Sequence, residues 1–229
     1  LHIGQNKARM WVNMGRFLGV IAVLLAWANV GVAGYYVIDG DTIVVDNKTF
    51  RINGIDAPEA GQKCTSERGR KWSCGDAATN ALYELTRLGD VHCVRIETDK
   101  YGRFVGTCFA GDIDLGQAMV ERGMAWAFVR YSDIYAPVER VAKRARIGIW
   151  RGPSVPAWEY RSKRWETASN SAPKGCTIKG NISSGGKIYH TPWSKWYAKT
   201  GINTAKGDRW FCNEAEAAEA GGGAGRLGG

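Results

Sequence analysis

A second long apolar run is missing from this chain of 229 residues, which excludes a multi-span membrane protein. No acidic residue occurs before Asp39. No Cys-x-x-Cys pair occurs either, so a zinc ribbon is a poor reading of the first four cysteines. With 45% hydrophobic and 23% charged residues, the chain is neither disordered nor collagen-like. Positive charge is in surplus: 31 Lys+Arg against 22 Asp+Glu leave +9. That sign points to an acidic partner such as nucleic acid, an anionic lipid surface or a cell-wall polymer. Its distribution is uneven. Residues 1–33 hold three basic groups, residues 34–150 hold 16 basic and 16 acidic, and residues 151–229 hold 12 basic and six acidic. The surplus therefore sits at the two ends and not on the central domain.

The single apolar run, 17–33, follows Lys7, Arg9 and Arg16 and ends with small residues at Gly31 and Ala33. A basic start, an apolar core and a small-x-small site describe an export signal cut before Gly34. The alternative is an uncleaved anchor in the inner membrane. Export implies an oxidising compartment, periplasmic or extracellular, so the six cysteines are expected to pair. A hairpin centred between Lys100 and Tyr101 would set Cys93 directly across from Cys108, within bridging distance. Cys64 and Cys74 bracket a polar loop, and Cys176 and Cys212 remain as a third pair.

Short β-rich runs at 35–38, 42–45 and 49–55 are followed by a polar loop, 57–75. Asp76 can cap a first helix that lines up Ala78, Leu82, Leu85 and Leu88, with Gly89 stopping it. The hairpin uses 91–98 and 104–109. Asp114 caps a second helix carrying Leu115, Ala118 and Met119. Pro137 opens a third, with Val138, Val141, Ala142 and Ala145 on one face. Five strands and three helices, strands first, predict an α+β fold built on a small mixed barrel.

Three motifs concentrate chemistry at strand ends, where a rigid scaffold can aim side chains at one cleft. They are Asp39-Gly40-Asp41-Thr42, Arg51-Ile52-Asn53-Gly54-Ile55-Asp56-Ala57-Pro58-Glu59, and Asp99-Lys100-Tyr101-Gly102-Arg103. Each alone reads as ordinary turn chemistry. Together they supply the parts for phosphodiester hydrolysis. Two carboxylates can hold a hard divalent cation. A third can take a proton from water. Two arginines can grip a phosphate whose negative charge grows during attack.

With these motifs in this order, the sequence resembles the staphylococcal nuclease, or thermonuclease, family over about residues 35–150. The resemblance continues through Gly123-Met124-Ala125, Tyr131 and Gly148-Ile149-Trp150. It implies an OB-type five-stranded barrel with three helices. It implies Ca2+ bound by Asp41, Asp56 and the backbone carbonyl of Ala57, with Asp39 supporting the metal through its neighbours. Glu59 would be the general base, and Arg51 and Arg103 would bind the scissile phosphate. Lys100, Tyr101 and Tyr131 would line the nucleotide pocket. Val129 departs from the pattern, standing where a base-stacking Tyr is usual. The implied reaction is endonucleolytic cleavage of DNA and RNA to 3′-phosphate ends by a monomeric enzyme. The cysteine pairs and the run from Trp150 to Trp158 resemble exported bacterial members, some of which carry a succinoglycan-biosynthesis label.

Beyond this domain, 151–173 reads as a basic aromatic linker and 174–214 as a small Cys/His/Trp module resembling the sunset type. A flexible Gly-rich tail, 215–229, follows. Cys176, His190 and Cys212 could bind a metal, although a disulfide beside a packed His is the favoured reading. Trp193, Trp196 and Tyr197 form either a core or a stacking surface. The basic extension is expected to tether the protein to nucleic acid or to an anionic envelope polymer. Two other functions stay open: a catalytically silent OB-type nucleic-acid-binding module, and a polysaccharide-associated envelope protein.

Overall fold

The computed structural model of the chain describes residues 34–184, 186–221 and 223–224. The expected export signal, 1–33, lies outside the described residues, as do the last five of the tail. No described helix is long and apolar enough to cross a membrane.

The barrel half of the molecule begins with β1 (Tyr35–Val37), β2 (Thr42–Val45) and β3 (Lys48–Ile52), joined by tight turns. Gly54 adopts φ +74, a left-handed turn that splits the expected strand 49–55, so that β4 (Ile55–Asp56) leaves in a new direction. The polar loop contains a small hairpin, β5 (Cys64–Thr65) and β6 (Lys71–Trp72). Next come α1 (Cys74–Thr86), β7 (Val91–Thr98), β8 (Phe104–Ala110), β9 (Ile113–Asp114) and α2 (Leu115–Glu121). Strand β10 (Trp126–Ala127), which pairs with β4, and α3 (Ala136–Arg144) complete this half. Five strands hydrogen-bond in the order β1-β2-β3-β8-β7, with β9 attached to β8. The β3–β8 contact is parallel, and the curled sheet wraps a core of Ile43, Ile52, Leu82, Leu115 and Met119. This is the expected α+β architecture.

Several local expectations are corrected. Helix α1 starts at Cys74 with Ser73 as its N-cap; Asp76 instead lies in the first turn, where its charge favours the helix dipole. Leu88 falls beyond the helix end and is exposed. On α3 only Ala142 is fully buried, and Val141 faces solvent. Asp114 does cap α2, accepting from the Gln117 amide at 3.0 Å, and it also accepts from the Tyr135 hydroxyl.

The expected linker 151–173 is largely helical: α4 spans Ala157–Ser169. Beyond it, β11 (Ile178–Ser183), β12 (Gly186–His190), β13 (Arg209–Phe211), α5 (Glu214–Glu219) and β14 (Gly223–Ala224) form the C-terminal module. Its sheet order is β13-β11-β12-β14. The tail is therefore ordered at its start: the Asn213 side chain caps α5, and β14 pairs with β12. Ile178, Phe211 and Ala217 make a small core, with Trp165 of α4 packed against it. Another cluster ties the barrel to the extension, as Trp126, Ile149 and Ala157 pack with the Cys64–Cys74 pair.

All three expected disulfides form: Cys64–Cys74, Cys93–Cys108 and Cys176–Cys212. The last removes its cysteines as metal ligands. Cys93 faces Cys108 in the expected register, but a bulge between Arg95 and Glu97 shifts the outer half of the hairpin by one residue. The turn thus centres on Tyr101. Replacing Cys93 and Cys108 together by alanine is expected to lower the unfolding free energy by about 3 kcal/mol, the cost of releasing a loop of this length. Urea titration of both proteins measures it.

Candidate active site

The carboxylate cluster rests on close backbone packing. A Cβ at Gly40 would lie 2.7 Å from the Ala57 Cβ and 2.8 Å from that of Ala78. Only glycine lets the β1–β2 turn press against β4 and α1, and this places Asp39 and Asp41 beside Asp56. Asp41 and Asp56 are buried. The Asp41 amide donates to Asp39 Oδ1 at 3.0 Å. Asp41 Oδ1 accepts from Thr42 Oγ1 at 2.9 Å and from Arg51 Nη1 at 3.1 Å, and its Oδ2 accepts from the Ala57 amide at 3.1 Å. Arg51 reaches on to Asp56, donating from Nη2 to Oδ1 at 2.7 Å.

Glu59 sits on the loop after β4. Its amide donates to Gln62 Oε1 at 3.0 Å, and the buried Gln62 donates from Nε2 to the Val155 carbonyl at 2.7 Å. The loop is thus braced by the chain segment that leads into α4. That helix also delivers a residue to the cluster. Arg161 donates to Asp56 through both terminal nitrogens, at 2.9 and 2.8 Å, and to Glu59 Oε1 at 2.5 Å. In the sequence Arg161 stands out only as part of a basic run, and nothing there marks Gln62.

The electrostatics follow from burial and pairing. Burial opposes ionisation of Asp41, but Arg51 and Arg161 outweigh it and hold its carboxyl below the ordinary range. Burial raises Asp39 to about 7, with Asp41 adding to the rise. It raises Glu59 to about 8, against the pull of Arg161. Both arginines are held firmly in the charged form, because their carboxylate partners overcome desolvation.

Arg103, Lys100 and Tyr101 lie on the β7–β8 turn. Asp99 organises that turn by accepting from the amides of Tyr101 and Arg103 at 2.9 and 3.0 Å. It also holds the guanidinium of Arg103, with Nη2 to Oδ2 at 2.8 Å, close over the Tyr101 ring. One cleft of about 1270 Å³ runs past many of these groups, with Asp41 and Asp56 buried behind its lining. Asp39, Arg51 and Glu59 line it on the barrel side, together with Lys100, Tyr101, Arg103 and Tyr131. Trp158, Arg161 and Trp165 of α4, and Tyr189, Trp193 and Glu214 of the module, line it as well. Val129 is exposed outside this lining, while Phe128 stacks on Trp158 with ring centres 5.5 Å apart. Aromatic surface is thus present without the usual Tyr. Of the other aromatic residues in question, Trp193 faces the cleft and pairs with Trp165, and Tyr197 packs beneath Lys179.

Asp41, Asp56, Glu59 and the Ala57 carbonyl are hard oxygen donors of the kind Ca2+ takes. With Asp39, four carboxyl groups face two guanidinium groups, so when all are ionised the excess is that of one divalent cation. In donor type and charge the cluster fits such an ion. Among the described residues, however, no three carboxylate, His or Cys groups already converge as a metal cage. The oxygens of Asp41 and Asp56 are engaged instead by Thr42, Arg51, Arg161 and the Ala57 amide.

Similarity to known proteins covers both halves of the described chain. The model of the family described as staphylococcal nuclease homologue matches residues 49–152, and a second, ArfC, matches residues 162–222. The succinoglycan biosynthesis protein ExoI of Rhizobium meliloti (strain 1021) is 37% identical over 170 residues, spanning 69% of this chain and 88% of its own. The micrococcal nuclease of Shigella flexneri is 32% identical over 161 residues, spanning 62% and 86%. An uncharacterised endonuclease of Escherichia coli is 30% identical over 163 residues, spanning 66% of this chain and its own full length. Fold, motif order and these matches converge: the chain belongs to the staphylococcal nuclease family and is a hydrolase of the nuclease class.

Proposed function

We propose that the protein is an exported, Ca2+-dependent endonuclease that hydrolyses DNA and RNA to 3′-phosphate and 5′-hydroxyl ends. The observation that carries this reading is the meeting of the buried Asp41 and Asp56 with Arg51, which lines a cleft together with Glu59 and Arg103. Glu59, in its ionised form, takes the proton of the attacking water. Arg51 holds a non-bridging phosphate oxygen in its planar fork, and Arg103 meets the phosphate from the β7–β8 turn. The water oxygen bonds to phosphorus as the bond to the 5′ oxygen breaks, and that oxygen takes up a proton from solvent to leave as the hydroxyl. Lys100, Tyr101 and Tyr131 hold the neighbouring nucleotide. Asp41, Asp56 and the Ala57 carbonyl would hold the ion, which when bound neutralises phosphate charge and makes a nearby water more acidic. Three disulfides support an oxidising destination. The name of the Rhizobium relative points to polysaccharide production, but paired arginines beside buried carboxylates suit an anionic phosphodiester better than a neutral sugar.

Purified protein is expected to degrade heat-denatured DNA with calcium and to stop when a chelator is added. Chelator-insensitive cleavage would remove the metal from this reading, and intact DNA would leave the silent binding module as the better one.

A further inference from the structure

Arg161 lies outside the segment matched by the nuclease model, yet it is bound more fully to the carboxylates than either expected arginine. It takes both oxygens of Asp56 and one of Glu59, whereas Arg51 shares only Oδ1 of Asp56. A two-pronged guanidinium–carboxylate pair is among the strongest polar contacts, and here the carboxylate is fully buried. The arginine is also placed by packing. Ala157 is buried, and the Trp158 ring packs against those of Trp126 and Phe128 at 6.1 and 5.5 Å. Gln62 fastens the loop of Glu59 to the segment just before the helix.

A divalent ion binds through carboxylate oxygen, and the oxygens of Asp56 are already taken by guanidinium groups. Two cations cannot share one carboxylate without repulsion. We propose that Arg161 is a resident cation of the carboxylate site: it fixes Asp56 and Glu59 as a pair, and it must release Asp56 before a divalent ion binds there. Helix α4 thereby sets the metal affinity of the nuclease domain. Arg161 is thus a positioning residue, acting through Asp56 and Glu59. This rests on the nuclease reading above, and the experiment separates the two.

Full-length wild type, Arg161→Ala and Arg161→Lys, stripped with chelator, are titrated with calcium chloride in a calorimeter. Each is also assayed on denatured DNA across calcium concentrations. Arg161→Ala is expected to bind calcium about tenfold more tightly or better, the scale of one lost charge-assisted competitor. Its half-activating calcium concentration falls in parallel. Arg161→Lys is expected to lie between, because an ammonium cannot span both oxygens. Equal or weaker calcium binding by folded Arg161→Ala overturns the inference, as does hydrolysis with calcium bound by none of the three. If circular dichroism shows Arg161→Ala unfolded, unchanged affinity in Arg161→Lys overturns it. Absence of hydrolysis by wild type at every calcium concentration overturns the nuclease reading itself.

Discussion

Glu59→Gln is expected to slow hydrolysis of denatured DNA by two to four orders of magnitude, the range a positioned general base contributes. The substitution keeps size and shape and removes the ability to take a proton, together with the charge that faces Arg161. Its amide oxygen can still accept from Arg161, and the backbone contacts through Gln62 do not involve the side chain. Melting temperature and far-ultraviolet dichroism should therefore stay near wild type. The loss should fall on kcat and leave KM little changed, because Glu59 acts on the water and does not hold the nucleotide. Unaltered turnover in the folded variant would remove Glu59 from the chemistry.

Arg51→Ala carries a second large effect, of a different kind. Arg51 neutralises Asp41 and Asp56 together, and both carboxylates are buried. Removing one partner of such a pair leaves uncompensated buried charge, at about 3–5 kcal/mol. For a chain of this size that corresponds to a fall of roughly 6–20 °C in Tm, measured by calorimetry. Hydrolysis should also drop by about two to three orders of magnitude, since a phosphate-facing donor is lost. Arg51→Lys should regain part of the stability, because the charge returns, but little of the rate, because the fork does not. A Tm within 2 °C of wild type in Arg51→Ala would show that Arg161 alone can hold the two aspartates.

Much of the barrel was legible in the residues because its signals are local. Alternating strands, the Asp114 cap and Pro137 each specify structure within a few positions. The Cys93–Cys108 pairing followed from hairpin arithmetic, and the register slip beyond it did not, since a bulge leaves no mark in hydrophobic alternation. The carboxylates of the candidate site were legible as types in motifs, and the structure brings Asp39, Asp41, Asp56 and Glu59 together. What stayed hidden depends on direction. The run from Trp158 to Trp165 reads as a basic tether because composition gives the sign of a charge and not the face it occupies. Arg161 turns inward on a helix whose mixed polarity gave no amphipathic pattern. Gln62, an uncharged residue in a polar loop, becomes a brace only because Val155 passes beside it.

The Asp56–Arg161 contact joins residues 105 positions apart. Closing so long a loop costs entropy before any contact rewards it. A growing chain has Asp56 and Glu59 in place long before the helix that completes their surroundings exists. The centre is thus a late event of folding, while the hairpins around it are early ones. On heating, the same asymmetry runs in reverse: the small clusters that seat α4 let go ahead of the barrel core. Release of α4 should accordingly precede loss of strand signal on heating, with fluorescence of Trp158 and Trp165 changing at a lower temperature than far-ultraviolet dichroism.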